Sequence, residues 1–180
     1  HLNKGKAFFI GEEGLRSALT GAGFTITDES PDYVIVSFDR DPSQDKIDKA
    51  CRLIKGGAKF VATNPDRGLP TENGFRAGTG AIVEKVRAGT GVNPMMIGKP
   101  EPMILNLAMQ RMGLKPNDVI NVGDNVDTDI PAGKNAGVRS AFILTGLSTR
   151  EDLSHALVLP DWIVENYGQL TEIIRLENKL

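Results

Sequence analysis

Three aspartates, Asp124, Asp127 and Asp129, follow a short run of β-forming residues that ends at Gly123. Thr128 or Asp129 is suited to cap the helix that comes next. Ligands of open parallel sheets bind beyond the carboxyl ends of the strands, so Asp124 lies where chemistry is common. Carboxylates this close repel one another unless water or a cation separates them, and Mg²⁺ prefers such oxygen ligands. The pattern predicts a magnesium site and, equally well, an ordinary acidic turn before a capped helix.

Lys99 lies in the segment Gly98-Lys99-Pro100, which also stands between a predicted strand and a predicted helix. A lysine there supplies the compact positive charge that an anionic substrate and an aspartyl nucleophile both require. A loop lysine taken alone is usually a solvated one. The acidic turn one strand and helix later favours the functional interpretation.

Polar residues also end two strands in the first half of the chain. Asn64 and Asp66, in Thr63-Asn64-Pro65-Asp66, can either bind a polar ligand or form an Asx-Pro turn. Asp39 and Asp41 have the spacing of a nucleophile and an acid in enzymes that form an aspartyl phosphate. Because Ser43 follows as the cap of a plain amphipathic helix, we interpret Asp39 and Asp41 as polar loop residues.

The composition excludes several classes of protein. The chain has 180 residues, of which 40% are hydrophobic and 24% charged, and its net charge is -2, so it presents no broad basic surface for nucleic acid. One cysteine, Cys51, excludes an internal disulfide, and its apolar helical neighbours indicate a structural thiol. A reducing cytosol is the simplest compartment, so we expect a cytoplasmic protein. The sequence contains no apolar run of membrane-spanning length and no evident signal peptide.

Predicted strands and helices alternate along the whole chain, which indicates an α/β fold with a parallel sheet and crossover helices. A cluster of Gly, Asn and Pro at 89–94 is the predicted boundary between a domain at 1–93 and a domain at 94–180. A Pro- and Gly-rich loop is predicted at 64–74. The predicted strands cover 6–10, 33–38, 59–63, 95–97, 119–122, 140–144 and 161–164, and the other predicted helices cover 12–21, 43–55, 79–88, 101–112, 149–157 and 169–176.

Taken together, these motifs resemble the haloacid dehalogenase superfamily. The resemblance is strongest to its NagD-like or 4-nitrophenylphosphatase branch, subclass IIA, and runs from about residue 5 to the end of the chain. It implies a Rossmann-like parallel sheet core, of which 94–180 would be the C-terminal half, and an α/β cap domain at 1–93. The motifs are Gly98-Lys99-Pro100, Gly123-Asp124-Asn125, Thr128-Asp129 and Thr63-Asn64-Pro65-Asp66.

The resemblance implies hydrolysis of a small phosphate monoester, of the sugar-phosphate or 4-nitrophenyl phosphate type, through an aspartyl phosphate with Mg²⁺ as cofactor. By motif match, Lys99 would steady the nucleophile and the phosphoryl group, and Asp124 would bind Mg²⁺. Asp129 would support the metal site through a water or through Lys99. Asn125 is a weaker candidate for a residue that positions these groups without contacting the ligand. Nucleic acids and membranes are not expected partners.

The cap implied by the resemblance would supply the contacts that set specificity. Asn64 and Asp66 would face the leaving group of the substrate as the cap closes and excludes water. The sequence does not identify which phosphate ester is bound.

The sequence lacks the family's Asp-x-Asp-Gly-Thr motif and its second motif, a Ser or Thr at the end of the next core strand. We therefore expect a chain that lacks about seventy N-terminal residues and is inactive by itself. A sheet without a central strand exposes apolar faces, so we expect association with the missing segment or a homo-oligomer.

Two other interpretations stay open at this point. One is a minimal phosphatase without a cap, which would use Asp39 and Thr63 as its first motifs. The other is a non-catalytic module that binds a phosphate-bearing ligand without turnover.

Overall fold

The computed structural model describes residues 3–66, 68–71 and 74–177, which form two compact units. The first unit ends at Ile97 and the second begins at Gly98. No helix within the described ranges is both long and apolar enough to cross a membrane. The strands of the first unit are β1 (Lys6–Ile10), β2 (Thr25–Ile26), β3 (Tyr33–Val36), β4 (Lys59–Ala62), β5 (Gly68–Thr71), β6 (Gly74–Ala77) and β7 (Met95–Met96).

Five of these strands form a parallel sheet in the order β2-β1-β3-β4-β7. Helices cover both faces of the sheet, which explains why its central strands are continuous apolar runs. The helices α2 and α3 pack on the face that carries Phe8 and Val34, and α1 packs on the face that carries Ile35 and Val61. The helix bounds are α1 (Glu13–Gly21), α2 (Gln44–Lys55) and α3 (Thr79–Thr90).

The amphipathic pattern of α2 shows how the sequence produces this packing. The Ser43 hydroxyl caps the helix by accepting a hydrogen bond from the Lys46 amide at 3.4 Å. Ile47, Ala50 and Ile54 recur on one side and are buried against the sheet. The helix therefore begins where a capping side chain is available and buries one apolar stripe.

Two predictions for the first unit differ from the structure. The predicted loop at 64–74 contains, in its described part, β5, which pairs with β6 as an antiparallel hairpin; residues 67, 72 and 73 lie outside the described residues. The predicted domain boundary after residue 93 falls before β7, whereas β7 pairs with β4 and completes the first sheet. The backbone hydrogen bonds of Met95 and Met96 thus assign this strand to the first unit and not to the second.

The second unit is built on a parallel sheet in the order β10-β9-β8. Phe142 packs on one face with Ile130 and Val126, and Ile143 packs on the other face with Leu170. Together with the first sheet, this confirms the predicted α/β fold with parallel strands. The elements are α4 (Met103–Met112), β8 (Ile120–Gly123), α5 (Asp129–Asn135), β9 (Arg139–Ile143), β10 (Trp162–Val164) and α6 (Tyr167–Glu177).

The helix predicted at 149–157 is wrong in extent. The structure has only a short 3₁₀ helix there, Asp152–His155, in which Leu153 is the buried residue. Leu157 and Leu159 are exposed, so the segment offers no continuous apolar stripe that packing could stabilise as an α-helix.

Candidate active site

The acidic turn after β8 is closed by the side chain of Asp129, the first residue of α5. Its Oδ2 accepts hydrogen bonds from the backbone amides of Asp124 at 3.1 Å and Asn125 at 3.0 Å. Asp129 is only 5% exposed. Gly123 permits this arrangement, because a Cβ at that position would lie 2.5 Å from Asp129 Oδ2. The turn is therefore built around a buried carboxylate.

Lys99 binds the other oxygen of the same carboxylate. Its Nζ lies 2.5 Å from Asp129 Oδ1, and its side chain is 47% exposed. The next residue, Pro100, follows a cis peptide bond, and its carbonyl accepts a hydrogen bond from Asn135 Nδ2 at 2.9 Å. Asp129 thus holds the ammonium group of Lys99, whose side chain as a whole is about half exposed.

The carboxylate of Asp124 is oriented by the loop that follows β9. Its Oδ2 accepts a hydrogen bond from the Leu147 amide at 2.8 Å, and its backbone carbonyl accepts one from the Ser148 amide at 2.9 Å. The Ser148 hydroxyl accepts a hydrogen bond from the Val126 amide at 3.1 Å. A Cβ on Gly146 would lie 1.9 Å from Asp124 Oδ2, so only glycine permits this close approach.

The remaining polar residues of the turn have local partners. Asn125 Oδ1 accepts a hydrogen bond from the Asp127 amide at 2.9 Å, so its side chain braces the turn. Asp127 is exposed. The repulsion among the three aspartates is therefore relieved by the lysine and two amides at Asp129, by one amide at Asp124 and by solvent at Asp127.

The donor set permits one metal ligand and not a complete metal site. Within residues 3–66, 68–71 and 74–177, no group of three His, Cys, Asp or Glu could hold a metal ion. Asp124 Oδ1 accepts no hydrogen bond from the residues that the structure describes, whereas its Oδ2 is bound by Leu147. A half-buried carboxylate with one free oxygen fits a single Mg²⁺ ligand, since Mg²⁺ is commonly bound through one or two carboxylates with phosphate and water.

The other predicted site residues belong to the first unit. Asn64 Oδ1 accepts a hydrogen bond from the Asp66 amide at 3.1 Å, which is the Asx-turn geometry expected of this sequence. Asp39 is buried, and its two oxygens bind the Asp41 amide at 3.0 Å and Lys46 Nζ at 2.9 Å. The structure thus brings Lys99, Asp124, Asn125 and Asp129 together in the second unit, and it places Asn64, Asp66 and Asp39 in the first.

Several residues that shape the turn were not predicted. Gly146, Leu147 and Ser148 act through backbone amides, a hydroxyl or the absence of a side chain. Asn121, on β8, donates a hydrogen bond from Nδ2 to the Asp129 carbonyl at 2.8 Å. Of these, only the polar Asn121 within a β-forming run gave a signal that sequence reasoning could have used.

Comparison with known proteins supports the resemblance to the haloacid dehalogenase superfamily. The family model described as HAD-hydrolase-like matches residues 96–170, which include Lys99 and the acidic turn. The acid sugar phosphatase of Staphylococcus epidermidis is 42% identical over 156 residues, which cover 86% of this chain and 60% of that protein. The chain therefore spans less than two thirds of the length of this curated relative.

Solved structures of phosphatases are also similar to this chain. The p-nitrophenyl phosphatase from Archaeoglobus fulgidus superposes with a TM-score of 0.87 at 35% identity, covering 94% of this chain and 67% of that one. NagD from E. coli K-12 superposes with a TM-score of 0.82 at 37% identity, covering 92% of this chain and 65% of that one. On this evidence, the chain belongs to the NagD-like branch of the haloacid dehalogenase superfamily.

Proposed function

We propose that this chain carries the lysine and the acidic turn of a Mg²⁺-dependent phosphate-monoester hydrolase. The contact between Lys99 Nζ and Asp129 Oδ1 at 2.5 Å carries the proposal, because it holds the ammonium group of a half-exposed lysine beside the turn that contains Asp124. The names of the relatives, acid sugar phosphatase and p-nitrophenyl phosphatase, support a sugar-phosphate or nitrophenyl phosphate type of substrate.

Lys99 provides the positive charge of the proposed site. An ammonium group has three hydrogens, and Asp129 accepts one of them. The others are available to the oxygens of a phosphoryl group and of an attacking carboxylate. Asp129 therefore acts on the reaction indirectly, because it fixes the position of the Lys99 ammonium group.

Asp124 is the proposed magnesium ligand, through the Oδ1 that the described residues leave free. When bound, Mg²⁺ neutralises the charge of phosphoryl oxygens and polarises the phosphorus they surround. The Leu147 amide keeps the Asp124 carboxylate in one orientation. Asn125 supports the site by bracing the turn, and Asn64 and Asp66 are proposed to contact the organic part of the substrate.

The nucleophilic carboxylate is proposed to come from outside these 180 residues, because the sequence has no Asp-x-Asp-Gly-Thr motif. Asp39 is a poor substitute for it. Asp39 is buried and its carboxylate is held within the first unit by the Asp41 amide and Lys46 Nζ, which is the role of a structural carboxylate. This observation favours the proposed hydrolase over a capless phosphatase that uses Asp39.

The test uses the protein expressed from its complete reading frame, with 4-nitrophenyl phosphate and Mg²⁺. We expect Lys99→Met to lower kcat/KM by at least about 100-fold, because an electrostatic donor to the transition state is lost. Lys134→Met is the matched control, since Lys134 is an exposed lysine in the last turn of α5, and it should stay within about three-fold of the parent.

Full activity of the Lys99→Met variant would overturn the proposal. Phosphate release by the 180-residue chain alone, abolished by Asp39→Asn, would show instead that Asp39 is the nucleophile. Saturable binding of inorganic phosphate by the complete protein, with no hydrolysis of any ester, would favour a binding module.

A further inference from the structure

The loop that carries Lys99 is tied to the rest of the second unit at two points. Among the described residues, the segment 98–102 makes two hydrogen bonds to elements other than α4, which follows it directly, and both go to α5. Lys99 Nζ donates to Asp129 Oδ1 at 2.5 Å, and the Pro100 carbonyl accepts from Asn135 Nδ2 at 2.9 Å. One helix therefore holds both the tip of the lysine and the main chain beside it.

The two contacts lie at opposite ends of α5. Asp129 and Asn135 are the first and the last residue of this helix, about 9 Å apart along its axis. Lysine carries its charge on a flexible four-carbon stem, so an ion pair at the tip alone leaves the other end of the stem free to move. The contact at Pro100 removes that freedom, because it fixes the main chain from which the stem starts.

α5 is itself fixed in the second unit. Four of its seven residues are buried. A Cβ on Gly133 would lie 2.0 Å from Ser140 Oγ, so the helix lies directly against β9. On the other side Asn121 of β8 donates to the Asp129 carbonyl at 2.8 Å. The two ends of α5 therefore keep a fixed position on the sheet, and the loop that they hold is fixed with them.

The chemistry of the contact at Pro100 identifies its donor. A carbonyl oxygen only accepts hydrogen bonds, so the amide nitrogen of Asn135, and not its oxygen, must face Pro100. Asn135 is exposed and makes no other side-chain hydrogen bond with the described residues. Replacing an exposed side chain of this kind usually changes stability little. An effect of its replacement on Lys99 can therefore be separated from an effect on folding.

We propose that Asn135 is a positioning residue for Lys99. It fixes the main chain of the lysine loop, so that the ammonium group stays beside Asp129 when an anionic ligand competes for it. A displacement of about 1 Å in a group that stabilises the transition state can lower the rate by about 100-fold. The effect of Asn135 on hydrolysis rests on the proposed function, whereas its effect on the position of Lys99 does not.

The first test observes Lys99 directly, by ¹H–¹⁵N NMR of the lysine ammonium groups in the protein expressed from its complete reading frame. Lys99→Met identifies the Lys99 signal, because the signal disappears in that variant. We expect a resolved signal in the parent, since the ion pair with Asp129 slows the exchange of the ammonium hydrogens with water. In Asn135→Ala the signal should broaden, and this exchange should become several-fold faster.

The second test measures kcat and KM of the same protein with 4-nitrophenyl phosphate and Mg²⁺. We expect Asn135→Ala to lower kcat by about ten-fold and to change KM by less than about three-fold, because the lysine is present but held less firmly. Asn135→Gln keeps the amide donor on a longer stem and should lose less activity than Asn135→Ala.

Asn117→Ala is the matched control for both tests. Asn117 is exposed, lies in the 3₁₀ helix Pro116–Asp118 and makes no side-chain hydrogen bond with the described residues, so this variant should behave like the parent.

The inference is overturned if the Lys99 signal of Asn135→Ala matches that of Asn117→Ala. It is also overturned if that signal changes but kcat does not fall, in a protein whose Lys99→Met variant is inactive. If Lys99→Met keeps full activity, the proposed function fails, and the NMR comparison alone then decides whether Asn135 positions Lys99.

Discussion

Asp124 has one carboxylate oxygen that accepts no hydrogen bond from the described residues and one that the chain holds in place. The Leu147 amide donates to Oδ2 at 2.8 Å, and Gly146 makes room for that contact. A side chain that binds a ligand through one oxygen loses less entropy on binding when its rotamer is already fixed. At the scale of single residues, Gly146 therefore helps to fix the orientation of the Asp124 carboxylate although it lies outside the turn.

Gly146→Ala tests this reasoning. The new Cβ would lie 1.9 Å from Asp124 Oδ2, so either the loop or the carboxylate has to move. We expect the free energy of unfolding to fall by about 1–3 kcal/mol, as for other overpacked sites. Urea unfolding followed by circular dichroism measures the change.

Gly14→Ala is the control for that substitution. A Cβ at Gly14, in α1, meets no atom within 4 Å, so we expect a change between zero and a stabilisation of about 1 kcal/mol. Equal effects of the two alanines would contradict the close packing of Gly146 on Asp124.

At this scale the sequence reveals residues whose types signal chemistry. Lys99, Asp124 and Asp129 were selected because charged groups follow strand ends, and the structure brings them together. Gly146 and Leu147 were not selected, because a glycine and a backbone amide carry no chemical signal in a single sequence. Their contribution depends on a loop that approaches the turn from a distant part of the chain.

The contact between α2 and α3 is the clearest packing constraint at the scale of elements. Cys51 Sγ lies 3.8 Å from the Val86 carbonyl, and a Cβ on Gly89 would lie 2.7 Å from the same sulfur. Burial raises the pKa of the Cys51 thiol, which keeps it a neutral packing group at neutral pH. The two helices approach closely because residue 89 has no side chain.

A double-mutant cycle measures that contact. We expect Gly89→Ala to destabilise the chain by about 1–3 kcal/mol through overpacking. In a Cys51→Ala background the cost should shrink, since the sulfur that the new methyl meets is gone. Strictly additive effects of the two substitutions would show that α2 and α3 do not meet at these residues.

The 3₁₀ helix at Asp152–His155 makes the stability of the folded state depend on pH. The Thr149 amide at 2.6 Å and the Thr149 hydroxyl at 2.8 Å donate to Asp152 Oδ2, and these bonds lower the pKa of the Asp152 carboxyl. A group with a lowered pKa in the folded state stabilises it above the pKa of the unfolded state. That contribution disappears as pH falls through the lowered pKa.

We therefore expect the ¹³C carboxyl titration of Asp152 to have its midpoint below that of an ordinary aspartate. Asp152→Asn should lose stability at neutral pH and differ little from the parent in strong acid, because the parent carboxylate is then protonated. A midpoint at or above the ordinary value would contradict the two hydrogen bonds.

Element types follow well from the sequence where the apolar pattern is long. The helix predicted at 43–55 has a strong helical periodicity, the strands beside it are continuous apolar runs, and they appear as α2, β3 and β4. The hairpin of β5 and β6 was missed because its first strand contains Gly68 and Pro70, residues that are rare in strands. The helix predicted at 149–157 failed because only Leu153 is buried in the helical turn that forms.

At the scale of the whole molecule, the boundary between the two units depends on the two-residue strand β7. Met95 pairs with Val61 and Met96 with Ala62, so the first sheet is complete only when the chain reaches Ile97. Composition could not show this, because the Gly- and Pro-rich stretch that resembles a linker precedes β7. Pairing with a strand more than thirty residues away is a property of the fold and not of the local sequence.

Two fragments test this boundary. A fragment of residues 3–97 retains β7, and a fragment of residues 3–93 does not. We expect the longer fragment to unfold at a higher urea concentration, because the edge of β4 stays paired. Equal midpoints would show that β7 does not stabilise the first unit and that the boundary lies nearer to residue 93.

The outermost position of β8 affects how the protein behaves in a test tube. Within the described residues β8 has β9 as its one neighbour in the sheet, and Val122 on it is 39% exposed. An open strand edge with an apolar side chain is a template for further strands. The protein concentration, more than the temperature, should therefore determine how soon a purified sample aggregates.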